Sequence, residues 1–285
     1  MNEFPRKAKL VVILILIPLA LYIWFLVLNP KLKHLTVSFL DVGQGDAILV
    51  EGPTGIQMLV DGGRDHAVLR ELPRQMGPFD RSIDVVIATH PDADHIGGLS
   101  SVFERYSVEV FVEPGIPNDT NATFALVSAV DLEPGLQKIV ARTGQRIDLG
   151  GGAYADILFP DRDVSTYETN TGSIVMRVVY GETSFMLSGD SPSQIEDYLV
   201  GRDGIALKTN VLKAGHHGSR NSTGDLWLSA VDPDIVVISA GKGNSYGHPH
   251  QETLDRIARS GAEVLSTLGA GAVTFESDGE QVVAK

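Results

Sequence analysis

Four side chains that can bind metal ions lie within six residues of the stretch THPDADHIGG, namely His90, Asp92, Asp94 and His95. The preceding residues, 83–88, are β-branched and nearly all apolar, which predicts a strand buried on both faces. A helical pattern follows Gly97 and Gly98, so the cluster lies at the carboxyl end of a strand, where open α/β sheets place their chemistry. Ligands this close suit two ions a few ångströms apart. The stretch therefore predicts a two-metal hydrolytic centre, and the alternative is a solvated acidic loop with incidental histidines.

Composition limits the classes of protein that fit. A chain of 285 residues can form one large α/β domain or two small ones. It contains no cysteine, which excludes a disulfide framework and a thiolate zinc site. The formal net charge of -13 argues against broad electrostatic binding of nucleic acid. A polyanionic substrate would have to be attracted locally, by bound cations or a small basic patch.

The amino-terminal segment has the pattern of a membrane anchor. Residues 10–28 contain no charged side chain, and a helix of this length just crosses a hydrocarbon core of about 30 Å. Arg6, Lys7 and Lys9 precede it, which favours a cytoplasmic amino terminus and an extracytoplasmic domain. A cleaved signal peptide is the alternative, but no clear cleavage site follows. We expect a cytoplasmic tip and a single-pass anchor in residues 1–30, and one domain in residues 31–285.

Two loops in the first half of this domain contain candidate residues. The loop DVGQGD ends at Asp46, and its two glycines allow the backbone to approach a ligand closely, although a simple tight turn has the same composition. We place Gln44 and Asp46 among the substrate contacts. Asp61 ends the strand pattern of residues 57–60 before two glycines, which suits a side chain that orients a histidine ligand.

Three strand patterns in the second half also end in polar residues. Residues 183–187 lead to Asp190, a carboxylate suited to bridge two cations. Residues 211–214 lead to the sequence GHHGS, which contains His216, His217 and Ser219. The sequence NSYGHPH precedes a helix pattern. Its His248 could contact an anion or act as a general acid. Alternatively, His248 or His250 could cap that helix. Ser219 and Asn244 complete the predicted substrate contacts.

Six motifs in order resemble the ComEC-type branch of the metallo-β-lactamase superfamily, the hydrolase-like domain attached to the bacterial DNA-uptake channel. They are FLDVGQGDAILVEGPTG, LVDGG, THPDADHIGGL, LSGD, LKAGHHGS and YGHP, and they span about residues 35–275. The resemblance implies an α/β fold of four layers, αββα, in which two stacked β-sheets lie between helices. Here it would form a stand-alone domain after one transmembrane helix.

The resemblance also implies a ligand set. His90 and Asp92 would bind one divalent ion, Asp94, His95 and His216 the other, and Asp190 would bridge them. His217 would hold His216 or meet substrate, and a bridging water, its pKa lowered by the ions, would be the nucleophile. We assign catalytic roles to Asp94 and His248.

Two departures from the family pattern affect the first ion. Asp92 replaces the second histidine of the signature His-x-His-x-Asp-His, and no histidine occurs from Ile96 to Gly215. Asn170 or Ser173, or water, would have to supply oxygen ligands instead. An oxygen-rich site should favour manganese over zinc, and we expect two ions of one of these metals.

These features together predict a membrane-anchored hydrolase that cleaves phosphodiesters in DNA or a related polyanion, with DNA-uptake proteins as partners. The fold does not determine the substrate, so a lactone, lactam or thioester hydrolase is one alternative. A non-catalytic, metal-stabilised binding module of an uptake machine is the other.

Overall fold

The computed structural model describes residues 6–28, 34–77, 79–269 and 271–285. The chain divides into two compact units, the first ending at Leu32 and the second beginning at Lys33. The first unit contains helix α1 (Arg6–Leu28), and the side chains of residues 11–24 are exposed. The side chains of residues 6–10 and 25–28 lie outside the described residues. Among those that are described, no helix has the length and apolar character needed to cross a membrane, so the predicted transmembrane anchor is not supported.

The second unit contains two β-sheets. The eight strands of the first sheet are β1 (Leu35–Phe39), β2 (Ile48–Glu51), β3 (Gln57–Val60), β4 (Ser82–Ile87), β5 (Ser107–Glu113), β6 (Gln137–Val140), β14 (Val273–Ser277) and β15 (Val282–Ala284). Their order is β15-β14-β1-β2-β3-β4-β5-β6. The seven strands of the second sheet are β7 (Arg146–Gly150), β8 (Ala153–Phe159), β9 (Val175–Tyr180), β10 (Thr183–Leu187), β11 (Val211–Lys213), β12 (Ile235–Ile238) and β13 (Glu263–Ser266). Their order is β13-β12-β11-β10-β9-β8-β7.

Helices cover the outer faces of both sheets. They are α2 (Val68–Gln75), α3 (Ala93–Ile96), α4 (Leu99–Phe103), α5 (Asn121–Leu132), α6 (Ser193–Asp203), α7 (Asp225–Val231) and α8 (Gln251–Ser260). One apolar cluster joins the inner faces of the sheets, where Phe275 makes edge contacts with Phe39 and Phe185 at ring-centroid distances of 6.0 Å. A second cluster lies under α2 to α5 and a third under α6 to α8. The predicted arrangement of two stacked sheets with helices outside is therefore confirmed.

The direction of the central strands brings the polar loops together. Strands β3, β4 and β5 run parallel in one sheet, and β10, β11 and β12 run parallel in the other. Parallel neighbours have their carboxyl ends at the same edge of a sheet. The loops that follow β4, β10, β11 and β12 contain His90, Asp190, His217 and His248 respectively.

Gly45 shows why the loop after β1 requires glycine. Its φ is +119°, and a Cβ atom there would lie 1.9 Å from the carbonyl oxygen of Asp94. The backbone N–H of Asp46 donates a hydrogen bond to the same oxygen at 3.3 Å. This loop therefore packs directly on the loop that contains the predicted metal ligands, and a larger residue would separate them.

Helix α5 begins at Asn121, directly after its N-cap residue Thr120. The hydroxyl of Thr120 accepts a hydrogen bond from the backbone N–H of Thr123 at 3.2 Å, which satisfies one of the free donors in the first turn.

Glu196 on α6 should make the domain less stable as the pH rises. Its buried carboxylate accepts hydrogen bonds from the backbone N–H groups of Thr223 and Gly224 at 2.7 and 2.9 Å. Burial raises the pKa of Glu196 from 4.5 to about 7, although these bonds lower it. Between these pH values the unfolded chain loses the proton and the folded chain keeps it. The free energy of unfolding should therefore fall by about 3 kcal/mol across this window.

The substitution Glu196→Gln tests this expectation because it removes the titration and keeps the shape. From pH 5 to pH 8, the free energy of unfolding of Glu196→Gln should rise by about 3 kcal/mol relative to that of the unmodified protein. Denaturant unfolding at both pH values measures it. An unchanged difference would show that Glu196 does not titrate in this window.

Candidate metal centre

The loops of both sheets meet at the carboxylate of Asp190, which follows β10 and is 3% exposed. Its Oδ2 atom faces the Nε2 atoms of four histidines: His90 at 3.8 Å, His95 at 3.3 Å, His216 at 3.6 Å and His217 at 3.5 Å. One carboxylate oxygen among several imidazole nitrogens is the arrangement required of a ligand shared between cations.

Two of these histidines are held with a lone pair directed at the centre. His95 donates through Nδ1 to the carboxylate of Asp61 at 2.8 Å, because a carboxylate can only accept. His217 donates through Nδ1 to the backbone carbonyl of Ser239 at 3.0 Å. In the neutral form of each ring, Nε2 therefore carries the lone pair; the two Nε2 atoms lie 3.3 Å apart, and that of His217 is also 3.5 Å from Asp94 Oδ2. Asp94, His95 and His217 with Asp190 thus form a compact set of donors for one cation.

Asp61 lies where its predicted orienting role requires. Besides His95, it accepts hydrogen bonds from the backbone N–H and the hydroxyl of Thr89, at 2.8 and 2.7 Å. Its φ of +60° is in the left-handed region, as are those of His216 (+47°) and His217 (+54°). Each such residue costs about 1–2 kcal/mol relative to a right-handed one. Strain of this kind concentrates at functional sites, and here it brings two consecutive imidazoles close to Asp190.

The predicted ligands of the other ion include His90, whose Nε2 atom also faces Asp190 Oδ2. His90 Nε2 is 3.8 Å from Asp92 Oδ2, and the Asp92 side chain is 35% exposed. Four buried polar atoms of the predicted ligands make no hydrogen bond within the described part of the chain: His90 Nε2, Asp190 Oδ1, Asn170 Oδ1 and Ser173 Oγ. Buried polar atoms are nearly always satisfied. A cation bound among these nitrogen and oxygen atoms would satisfy them, so the residues fit the implied metal.

The charges of the centre favour an added positive charge. Burial disfavours a charged imidazole, but Asp190 and Asp46 outweigh it and raise the pKa of His217 to about 9. Asp190 and Asp61 similarly raise the pKa of His95 well above its ordinary value despite burial. Burial alone would raise the pKa of Asp190, but the charges of His217 and His95 hold it well below its ordinary value. Protons and metal ions would therefore compete for the same nitrogens.

A buried lysine, which the sequence interpretation missed, lies behind these ligands. Lys213 on β11 is 0% exposed, forms an ion pair with Asp46, and donates to the Gly189 carbonyl at 3.1 Å. Asp46 also offers an oxygen within 4.8 Å of ligand atoms of His95, Asp190 and His217. However, its oxygens face the Nδ1 edges of His95 and His217, at 3.8 and 3.5 Å, so it supports the rings from behind. The predicted contact of Asp46 with substrate does not fit this buried position.

Three other predicted substrate contacts are engaged within the protein. Gln44 Oε1 accepts from the Gly241 N–H at 3.1 Å, although its Nε2 is buried without a partner. Asn244 donates to the carbonyls of Gly241 and His248 and so closes its own loop. Ser219 is 5% exposed, and its carbonyl accepts from the hydroxyl of Thr253. These contacts hold the loops in place.

His248 lies at the outer edge of the centre. Its ring centroid is 5.3 Å from that of His216, and its Nδ1 is buried without a partner. Burial, with the nearby His216 and His217, lowers the pKa of His248 to about 4, so the ring is neutral at pH 7. His250 occupies the N-cap position of α8 but makes no side-chain cap bond; its Nδ1 accepts from the Arg220 N–H at 3.2 Å.

Comparison with known proteins identifies the family. Residues 40–242, more than half of the chain, match the family described as the metallo-beta-lactamase superfamily. The chain belongs to the metallo-beta-lactamase superfamily. Membership indicates a hydrolase without specifying which bond is cleaved, and it agrees with a fold whose members usually bind two metal ions.

The curated relatives of this superfamily member include a competence protein. It is 28% identical to ComE operon protein 3 of Bacillus subtilis over 84% of this chain and 32% of that protein. It is 30% identical to competence protein ComA of Neisseria gonorrhoeae over 84% of this chain and 32% of that protein. The chain thus spans about a third of these relatives, and the resemblance to the competence-related branch is confirmed. A solved structure, the metallo-beta-lactamase fold protein YhfI from Bacillus subtilis, has a TM-score of 0.54 and 13% identity, covering 83% of this chain and 98% of that one.

Proposed function

We propose that this chain is a two-metal phosphodiesterase that cleaves DNA. The observation that carries the proposal is the convergence of four histidine Nε2 atoms on one oxygen of Asp190, with Asp94 alongside. The competence-related relatives favour DNA as the phosphodiester and DNA-uptake proteins as partners.

The side chains of the centre have distinct tasks in such a reaction. Bound divalent cations supply Lewis acidity toward a phosphate and lower the pKa of the attacking water. His95 and His217 each present Nε2 because Asp61 and the Ser239 carbonyl hold their Nδ1–H groups. This geometry favours His217 over the predicted His216 as the ligand grouped with Asp94 and His95. His216 is 28% exposed and close to Asp190, so we place it with His90 and Asp92.

A direct assay distinguishes the alternatives. Purified full-length protein with manganese should hydrolyse end-labelled single-stranded DNA, and a chelator should stop the reaction. The Asp190→Ala protein, purified in the same way, controls for contaminating nucleases. Cleavage of a lactone, lactam or thioester without cleavage of DNA would favour the other hydrolase class. Bound ions without turnover of any substrate would favour the binding module.

The oxygen-rich ligand set should make manganese the better metal. Metal-free protein should regain more DNA cleavage with manganese than with zinc, because Asp92, Asn170 and Ser173 offer oxygens where zinc prefers nitrogen. Asp92→His should move the preference toward zinc, whereas Asp92→Asn, which keeps an oxygen donor, should not. Equal or better restoration of the unmodified protein by zinc would contradict this prediction.

Membrane attachment through α1 stays a prediction. Its support is the absence of charge in residues 10–28 and the exposure of the side chains of residues 11–24. Full-length protein should remain with membranes after carbonate extraction, and protease added to intact spheroplasts should digest the domain. Recovery in the soluble fraction would contradict attachment, and digestion only after lysis would contradict the outward orientation.

A further inference from the structure

The loop between β12 and α8 exposes an aromatic ring beside the metal centre. The Tyr246 side chain is 55% exposed, and its ring is stacked on that of His248, with a centroid distance of 5.7 Å and an interplanar angle of 22°. Its hydroxyl makes no hydrogen bond to the residues that the structure describes. His248 therefore covers part of one ring face, and more than half of the surface of Tyr246 meets solvent.

The ring has a fixed relation to the centre. His248 contacts Tyr246 on one side and His216 on the other, and His216 Nε2 is 3.6 Å from the shared oxygen of Asp190. Asn244 Oδ1 accepts hydrogen bonds from the backbone N–H groups of Tyr246 and His248, at 3.2 and 3.0 Å. Tyr246 is thus linked to the candidate ligand His216 through the single ring of His248, so a base stacked on Tyr246 would lie beside the centre.

A cation lies in the same loop. Lys242 is exposed, and its side chain makes no ion pair or hydrogen bond to any residue within the described ranges. Many other cations of this acidic chain are neutralised by carboxylates, as Arg146 is by Asp156 and Lys208 by Asp232. Lys242 therefore leaves a positive charge available in the loop that contains the exposed aromatic ring.

From this juxtaposition we infer that Tyr246 is a stacking platform for an unpaired nucleobase next to the scissile phosphate, and that Lys242 contacts a neighbouring phosphate. An exposed aromatic ring combined with a cation is the usual means of holding single strands without sequence preference. A base in a duplex already has neighbours on both faces, so the platform selects a single strand or a frayed end. This inference rests on the proposed function, because it names the form of DNA that the centre would take.

The experiment compares short single strands that differ only by an abasic site at each of the terminal positions in turn. For intact DNA, Tyr246→Leu should raise KM about tenfold or more with little change in kcat, because it removes the aromatic face and keeps apolar bulk. For the strand abasic at the stacked position, the variant and unmodified protein should have equal KM. Tyr246→Phe, which keeps the ring, should behave as the unmodified protein does. Phe79→Leu is the matched control. Phe79 is 93% exposed and precedes the amino end of β4, whereas the candidate metal ligands follow the carboxyl end of that strand.

Equilibrium binding gives a second readout that does not depend on turnover. With calcium in place of manganese, Tyr246→Leu should weaken binding of the intact strand and leave binding of the abasic strand unchanged. Lys242→Ala should reduce the slope of log affinity against log salt by about 0.7, the value for one phosphate contact on a single strand. Lys208 precedes the amino end of β11, and the centre lies beyond its carboxyl end. Lys208→Ala should therefore leave the slope unchanged.

The outcomes separate the inference from the proposed function. An equal loss with intact and abasic strands would mean that Tyr246 only supports His248, and no loss would mean that it does not touch DNA; either result overturns the inference. If the unmodified protein binds strands through Tyr246 but cleaves none, the phosphodiesterase proposal fails and the platform stands. If the unmodified protein cleaves DNA with no dependence on Tyr246, the inference about Tyr246 fails and the phosphodiesterase proposal stands.

Discussion

Asp190→Ala should release bound divalent ions and reduce DNA cleavage by well over 100-fold. Loss of a residue that only orients a metal ligand typically costs up to roughly 100-fold. The reason is geometric, since Asp190 Oδ2 faces the Nε2 atoms of His90, His95, His216 and His217. Without this carboxylate, two cations would repel each other with no shared anion between them. Metal content by elemental analysis and turnover under identical conditions measure the two effects.

The control for Asp190→Ala is Asp156→Ala. Asp156 is a partly exposed carboxylate of β8, and its ion pair with Arg146 lies on the outside of the same sheet. This variant should keep the metal content and turnover of the unmodified protein, and circular dichroism should show both variants folded. Two tightly bound ions with normal turnover in Asp190→Ala would show that Asp190 is not the bridging ligand.

His248→Ala should keep full metal content and lose roughly 100-fold in turnover, a typical range for a positioned acid or an oxyanion donor. The ring lies outside the inner ligands, beside His216, and its Nδ1 is unpartnered. Because burial lowers its pKa to about 4, His248 is neutral at pH 7, and in the proposed reaction it would act as a hydrogen-bond donor to the phosphate or leaving oxygen. The turnover rate should therefore not depend on the protonation of His248 between pH 6 and pH 8.

His250→Ala is the matched control for His248→Ala. His250 lies two residues away at the start of α8, with its ring 4.9 Å from that of His248, and it bonds to the backbone of Arg220. It should change turnover little. Loss of a metal ion from His248→Ala would instead place His248 among the ligands.

Much of this arrangement could be predicted because it is encoded locally. An apolar strand followed at once by polar residues and glycine identifies a strand end, and His90, Asp190 and His217 all have this pattern. Parallel strands bring such ends to one edge, so the sequence sufficed to group them. The stacked sheets follow from the same strand patterns together with the family motifs.

The remainder depends on contacts between distant parts of the chain. Lys213 and Asp46 are far apart in sequence, and neither hydropathy nor spacing indicates that they pair; the one local sign was a lysine inside an apolar strand. The choice between His216 and His217 depends on two consecutive left-handed residues, which L-amino acids seldom adopt. The exposed ring of Tyr246 depends in turn on how Asn244 closes its loop.

The positions of the ligands in the two sheets have a consequence for thermal stability. Asp94 and His95 follow a strand of one sheet, whereas Asp190 and His217 follow strands of the other. An ion held by this set is a cross-link between the two halves of the sandwich, present in the folded state and absent from the unfolded one. The melting temperature should then rise with the logarithm of the free metal concentration.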